Sequence, residues 1–154
     1  MLIRWLLAAI HLLGYGVALA SILARTRALR RCSTPAQLPD VFFADNGWGL
    51  SALVLIVTGA MRAFGGYEKG SAFYLHDPLF HLKMGLLVLI LILEIAPMVT
   101  LIRWRIAVRK GVVPDLSRVR RFAGIGAVQA ALLVAMVVAA TGMARGIALA
   151  AAGA

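Results

Sequence analysis

A few titratable side chains set inside long apolar stretches are the residues best able to do chemistry in this sequence: His11, His81, Lys83 and Glu94. An ionisable group inside a membrane span is costly to bury, and it is usually retained for a function or a charge partner. Each of the four is therefore a candidate for binding a ligand, moving a proton or pairing with an opposite charge.

Each of the two histidines within these stretches is followed by a glycine on the same helical face. Gly14 lies three residues after His11, and Gly85 lies four residues after His81. Such a pair leaves a flat space beside the imidazole in which a large ring could lie. Because imidazoles on facing helices can ligate haem iron in a bundle core, we predict His11 and His81 as axial ligands of haem b. No CxxCH attachment motif is present, so the haem would be held non-covalently.

Other residues are alternative candidates for binding the same haem. Lys83 lies about 200° around the helix from His81, so only one of the two can face the bundle, and Lys83 is the alternative second ligand. His76, just before the third span, is a third candidate. Arg62 would suit a haem propionate through bidentate pairing. The competing interpretations are an interhelical hydrogen bond for His11 and interfacial positions for Lys83 and Arg62.

Glu94 lies in the inner half of the third apolar segment, one turn before Pro97. An ion pair with a basic residue such as Arg25, or a hydrogen bond, is the favoured interpretation, and Asp45-Asn46 is a plausible neighbour. A proton relay is the alternative.

The elements that position these residues are predicted from composition. The chain is 62% hydrophobic and 14% charged, with a mean hydropathy of +0.93. Soluble domains are usually closer to half apolar and a quarter charged. The apolar residues form four runs long enough to cross a hydrocarbon layer of about 30 Å. The predicted spans run approximately over Leu2–Ala24, Val41–Phe64, Pro78–Trp104 and Phe122–Ala144. The fold class is therefore an all-α, integral membrane four-helix bundle, a single domain over residues 1–154.

The formal net charge of +10 is concentrated between the spans. The first and third connections are rich in arginine, whereas Lys69 is the only lysine or arginine of the second. The positive-inside rule then predicts that the two basic loops are cytoplasmic and that both termini lie outside, as in a multi-pass protein of a bacterial inner membrane. We expect no nucleic-acid partner, because the sequence has no nucleic-acid reading motif.

The fourth span is dense in small residues, which let helices approach closely in lipid. This face predicts either close packing within the bundle or a homodimer. Its residues are Gly124, Ala127, Ala131 and Ala135.

Four stretches of the chain resemble a bacterial family of small membrane proteins catalogued as domain of unknown function 2214. They are AIHLL at 9–13, LARTRAL at 23–29, ADNGWG at 44–49 and YLHDPLFHLK at 74–83. The resemblance covers nearly the whole chain and implies a membrane protein with no assigned activity.

A more distant resemblance links a histidine in the first span and His-x-Lys opening the third to HemJ-type protoporphyrinogen oxidases, which bind haem in the membrane. It implies that His11 and Lys83 are the key residues here. The second span and the added His76 and His81 depart from that pattern. The first span also resembles that of CopD-like copper-uptake domains, because a glycine follows its histidine.

These observations predict a haem b-binding membrane protein with electron-transfer or oxidoreductase activity near the periplasmic face. A quinone or another small redox substrate would be its partner. The alternatives are a protoporphyrinogen-oxidase-like enzyme, or a haem-free transport or assembly module for copper.

Overall fold

In a computed structural model, the chain is described over residues 1–67 and 75–145. Its long helices are α1 (Leu2–Arg31), α2 (Leu38–Phe64), α3 (Pro78–Arg109) and α4 (Val119–Ala144). A short 3-10 turn, Pro35–Gln37, precedes α2. Within the described ranges there are helices and no strands, which confirms the all-α, four-helix prediction. Lys69 and Tyr74 lie outside those ranges.

Local sequence explains where the helices begin. Pro78 occupies the first position of α3, and the Asp77 carboxylate accepts a hydrogen bond from the Leu79 amide, as an N-cap does. Before α2, Thr34 and Gln37 form a capping box. α1 and α3 extend beyond the predicted ends of the spans, because arginine is a good helix former and continues the helix past the apolar residues.

The helices pack as a ring that is incomplete on one side. α1 packs against both α2 and α4, and α4 also packs against α3. Consequently α1 and α3 lie diagonally across the bundle, and α2 and α3 are the neighbouring pair with the least direct packing.

Helices α1 and α2 run antiparallel in a register set by small and polar residues. A Cβ on Gly14 would contact the Leu55 side chain at 3.1 Å, and a Cβ on Gly47 would come within 2.6 Å of Ser21 Oγ. The two glycines therefore let the helices approach closely, as small residues do in membrane bundles.

The outer surface of the bundle is apolar. Large side chains are well exposed there, among them Leu12 (71%), Val138 (65%) and Ile92 (58%). All four long helices are long and apolar enough to cross a membrane. An apolar surface of this extent faces lipid in a multi-pass membrane protein.

The predicted small-residue face of α4 does not pack inside the bundle. Gly124, Ala131 and Ala135 are exposed, whereas Ala123 and Gly126 are buried on the other side of the helix. The first of the two interpretations, packing within the bundle, is therefore not met by this face. The homodimer stays a prediction.

Gly126 is the residue that brings α4 against α1, and its replacement by valine should destabilise the protein. A Cβ at this position would collide with Thr26 Oγ1. We expect Gly126→Val to lower the free energy of unfolding by about 1–3 kcal/mol, a typical cost of overpacking. Unfolding in micelles, followed by circular dichroism, measures it. Gly124→Val is the control, since a Cβ there meets nothing within 4 Å; equal losses in both variants would contradict the assignment.

Candidate cofactor-binding cavity

A cavity of about 750 Å³ occupies the space between α2 and α3, and its lining is mostly apolar. The two helices meet at its ends. Phe64 and Phe80 make an edge-on ring contact at one end, with centroids 6.4 Å apart. At the other end, Arg105 donates to the Phe42 carbonyl oxygen and to Asp45.

Between these two contacts the cavity opens sideways. Leu53, Ile56 and Leu91 line it and are nevertheless 59%, 41% and 44% exposed. Because the surrounding surface is lipid-facing, the opening communicates with the hydrocarbon layer.

His11 lines the cavity, and its ring is held by α2. The side chain is only 6% exposed, and its Nδ1 lies 2.7 Å from Thr58 Oγ1. Thr58 in turn donates its hydroxyl hydrogen to the Val54 carbonyl oxygen at 2.6 Å. With that hydrogen donated to Val54, the Thr58 oxygen is left to accept from His11, and we infer that Nδ1 carries the proton. Nε2 is then the ring nitrogen with the lone pair.

The orientation of the imidazole is fixed by its neighbours as well as by this hydrogen bond. A Cβ on Gly59 would lie 3.2 Å from His11 Cε1, so only glycine leaves the ring its present position without a shift. Tyr15 packs edge-on against the ring, with centroids 5.2 Å apart. The imidazole is therefore preorganised.

The Thr58 hydroxyl should determine the tautomer of His11. In the wild type we expect neutral His11 to carry its proton on Nδ1. Thr58→Val removes the acceptor, and we expect the Nδ1-protonated fraction to fall; Thr58→Ser retains an acceptor and should behave as the wild type. Nitrogen-15 shifts of labelled histidine in micelles distinguish the tautomers. An Nε2-protonated wild type would contradict the assignment.

Two cations line the same end of the cavity as His11. Arg62 lies about 3 Å from the end of α2, and Lys83 about 8 Å from the start of α3, at the rise of a helix. His11 lies about 14 Å from the start of α1, which begins at that end of the bundle. Arg62 and Lys83 therefore make the His11 end the cationic end of the cavity.

The opposite end contains a charge network centred on Arg25. Its guanidinium is fully buried and donates to both oxygens of Glu94 at 2.6 and 2.8 Å. It also donates to Asp45 at 2.8 Å and to Gln129 Oε1 at 2.9 Å. The prediction of an ion pair between Glu94 and Arg25, with Asp45 as a neighbour, is confirmed. The relay role stays a prediction.

Further hydrogen bonds close the network. Arg105 bridges to Asp45 at 2.8 Å, and Gln129 donates to Glu94 at 2.8 Å. Two guanidinium groups thus balance two carboxylates, and the members come from all four long helices. Asp45 and Glu94 also line the cavity, so this charge-balanced network forms one end of it.

The structure does not bring His81 to the cavity that His11 lines. The residues of α3 that line it fall at helical spacing: Phe80, Lys83, Met84, Leu87, Ile90, Leu91, Glu94 and Met98. His81 and Gly85 fall off this stripe and are exposed, and His81 Nε2 lies 2.9 Å from the Leu75 carbonyl oxygen. The expected convergence of two imidazoles is therefore not met, while Lys83 does reach the cavity.

Two other predicted residues also lie elsewhere. Gly14 packs against Leu55 of α2 and does not line the cavity. His76 is exposed and outside it. The space beside the His11 ring comes from Gly59 instead.

Thr58, Gly59 and Gln129 were missed from the sequence. Thr58 and Gly59 acquire their roles from the pairing of α1 with α2, which no local pattern reveals. Gln129 had a usable signal, because it is a polar side chain in the middle of an apolar span.

The described residues offer little to a bare metal ion. Over 1–67 and 75–145, no three His, Cys, Asp or Glu side chains are grouped as such an ion would require. Cys32 lies beyond the end of α1, and burial raises the pKa of its thiol.

The family model described as a predicted membrane protein, DUF2214, matches residues 3–148. No curated protein and no solved structure matches the chain at a significant level.

Proposed function

This chain belongs to the DUF2214 family of predicted membrane proteins, and we propose that it binds haem b in the cavity between α2 and α3 for electron transfer or an oxidoreductase reaction. The family description assigns no activity, so the proposal rests on the cavity itself.

The observation that carries the proposal is the hydrogen-bonding of His11. Histidines that ligate metals almost always donate their other ring N–H to a fixed acceptor, which sets the tautomer and orients the ring. With Nδ1 as the inferred donor to Thr58, Nε2 would be the ligating atom.

The rest of the lining fits an amphipathic macrocycle. The volume of about 750 Å³ lies within the range of small-molecule sites, and most of the lining is apolar. Arg62 puts positive charge at the His11 end, where it would pair with the carboxylate of a propionate.

We propose Lys83 as the second protein ligand in place of His81. Lys83 lines the cavity from α3, diagonally across the bundle from His11 on α1, whereas His81 is exposed. Bound haem would supply one-electron redox chemistry. The residues of the chain hold it, exclude water with apolar side chains, and pair its carboxylates.

The redox partner is proposed to be lipid-soluble, such as a quinone, because the cavity opens toward the hydrocarbon layer. With the arginine-rich connections in the cytoplasm of a bacterial inner membrane, the His11 end would lie near the periplasmic face.

The test is haem binding by the full chain. We expect protein purified in detergent from haem-supplied cells to show a Soret band and to contain about one haem per chain. Folding is checked by circular dichroism. A folded protein that has no Soret band, even after haem is added, would overturn the proposal.

A porphyrinogen-oxidising enzyme is the second candidate, because both residues that the HemJ likeness implies, His11 and Lys83, line one cavity. Rescue of a strain that lacks its own oxidase would support it. Failure of an inserted, haem-loaded protein to rescue would leave electron transfer or another oxidoreductase reaction as the function. The copper module remains a prediction, and it requires metal binding without haem.

A further inference from the structure

A second, smaller cavity lies at the arginine-rich end of the bundle, and it is separate from the proposed haem site. Its volume is about 280 Å³. One wall is a single stripe of α1 at helical spacing, and Gln37 and Asp40 form the other wall. The residues of the stripe are Ala24, Arg27, Ala28 and Arg31.

The charged groups of this cavity lack protein partners. Among the described residues, neither Arg27 nor Arg31 nor Asp40 makes a hydrogen bond or ion pair through its side chain. The Gln37 side-chain oxygen is used by the Ser33 and Thr34 amides, so its NH₂ group is the part left to donate. The cavity thus offers two guanidinium groups and one carboxylate to a ligand.

The cavity lies at the depth in the membrane where lipid headgroups are found. It lies where α1 ends and α2 begins, at the boundary between the apolar span and the basic connection. Ala24, the small residue at the membrane end of the stripe, leaves room there for a glycerol backbone and the first carbons of acyl chains. Basic pockets at such a boundary are recognised binding places for the phosphate groups of anionic phospholipids.

We propose that this cavity binds the headgroup of an ethanolamine phospholipid. Arg27 and Arg31 would pair with the phosphodiester, in charge-assisted hydrogen bonds. Asp40 would accept from the primary ammonium. A glycerol headgroup offers Asp40 only neutral hydroxyls, and a choline headgroup has no N–H to donate, so the carboxylate favours the charged ammonium of ethanolamine.

The test compares three lipids on the full-length protein in detergent. Phosphatidylethanolamine, phosphatidylglycerol and phosphatidylcholine of matched acyl chains are added, and bound lipid is counted by native mass spectrometry. We expect the ethanolamine lipid to bind most tightly. Arg27→Gln and Arg31→Gln should each weaken it about fivefold, the effect of one basic residue at a membrane surface.

Two variants make the outcome decisive. Asp40→Asn should remove the preference for ethanolamine over glycerol headgroups while the protein stays folded. Arg30→Gln is the control, because Arg30 is exposed and does not line the cavity. Equal binding of all three lipids, tighter binding of phosphatidylglycerol, or an equal loss in Arg30→Gln would overturn the proposal.

Discussion

Replacing Arg25 by glutamine is expected to lower the free energy of unfolding by about 3–5 kcal/mol, the usual cost of breaking a buried ion pair by removing one partner. The Arg25 side chain is fully buried and donates to Glu94, Asp45 and Gln129. Its loss leaves Glu94 as a carboxylate without a cation, inside a membrane span. Unfolding of the purified protein in mixed micelles, monitored by circular dichroism, measures the change.

Comparing Arg25→Gln with a charge-neutral double variant separates the effect of the unpaired carboxylate from the other effects of the substitution. In Arg25→Gln, Asp45 keeps Arg105 as a partner, whereas Glu94 loses its cation. The double variant Arg25→Gln/Glu94→Gln restores neutrality and should recover part of the lost stability. Arg30→Gln, at an exposed position, should change stability by less than about 0.5 kcal/mol. A double variant no more stable than Arg25→Gln would contradict the idea that the unpaired Glu94 carboxylate dominates the loss.

This network has a structural purpose that follows from the cavity. A bundle with a cavity between α2 and α3 forgoes the packing that would otherwise hold that pair together. The network supplies cross-links in its place: Arg105 joins α3 to α2, and Arg25 joins α1 to both. Since hydrocarbon offers polar groups no alternative partners, such links help to specify one arrangement of the helices.

The fold could be predicted from the sequence because the length and the hydropathy of an apolar run are enough to identify a membrane span. The approximate ends predicted at Phe64, Pro78 and Ala144 agree with the helices, because Gly65-Gly66, the Asp77-Pro78 start and a tail of small residues mark them. At the arginine-rich ends the predicted spans stop before the helices do, because arginine interrupts an apolar run but does not end a helix.

Only some residues of the candidate site could be predicted, because the sequence does not give the rotation of each helix about its own axis. Periodicity places Lys83 and His81 on different faces of α3, yet it does not say which face meets the bundle. The structure puts Lys83 inward. Thr58 and Gly59 depend on the register between α1 and α2, which becomes known only when the helices are docked.

Replacing His11 by alanine is expected to remove haem from the protein. Loss of an outer partner of a metal ligand alone typically weakens metal binding about 10–100-fold, so loss of the ligand itself should cost more than about 100-fold. The Soret absorbance of purified, folded His11→Ala measures this. Retention of the wild-type spectrum in this variant would show that His11 is not a ligand.

The second ligand is decided by a matched pair of variants on α3. Lys83→Ala should keep haem, through His11, but convert the iron from six-coordinate and low-spin to five-coordinate and high-spin, which absorption and electron paramagnetic resonance spectra both report. His81→Ala should leave those spectra unchanged, because His81 is exposed and does not line the cavity. If instead His81→Ala changes the spin state and Lys83→Ala does not, the iron is held by the two histidines.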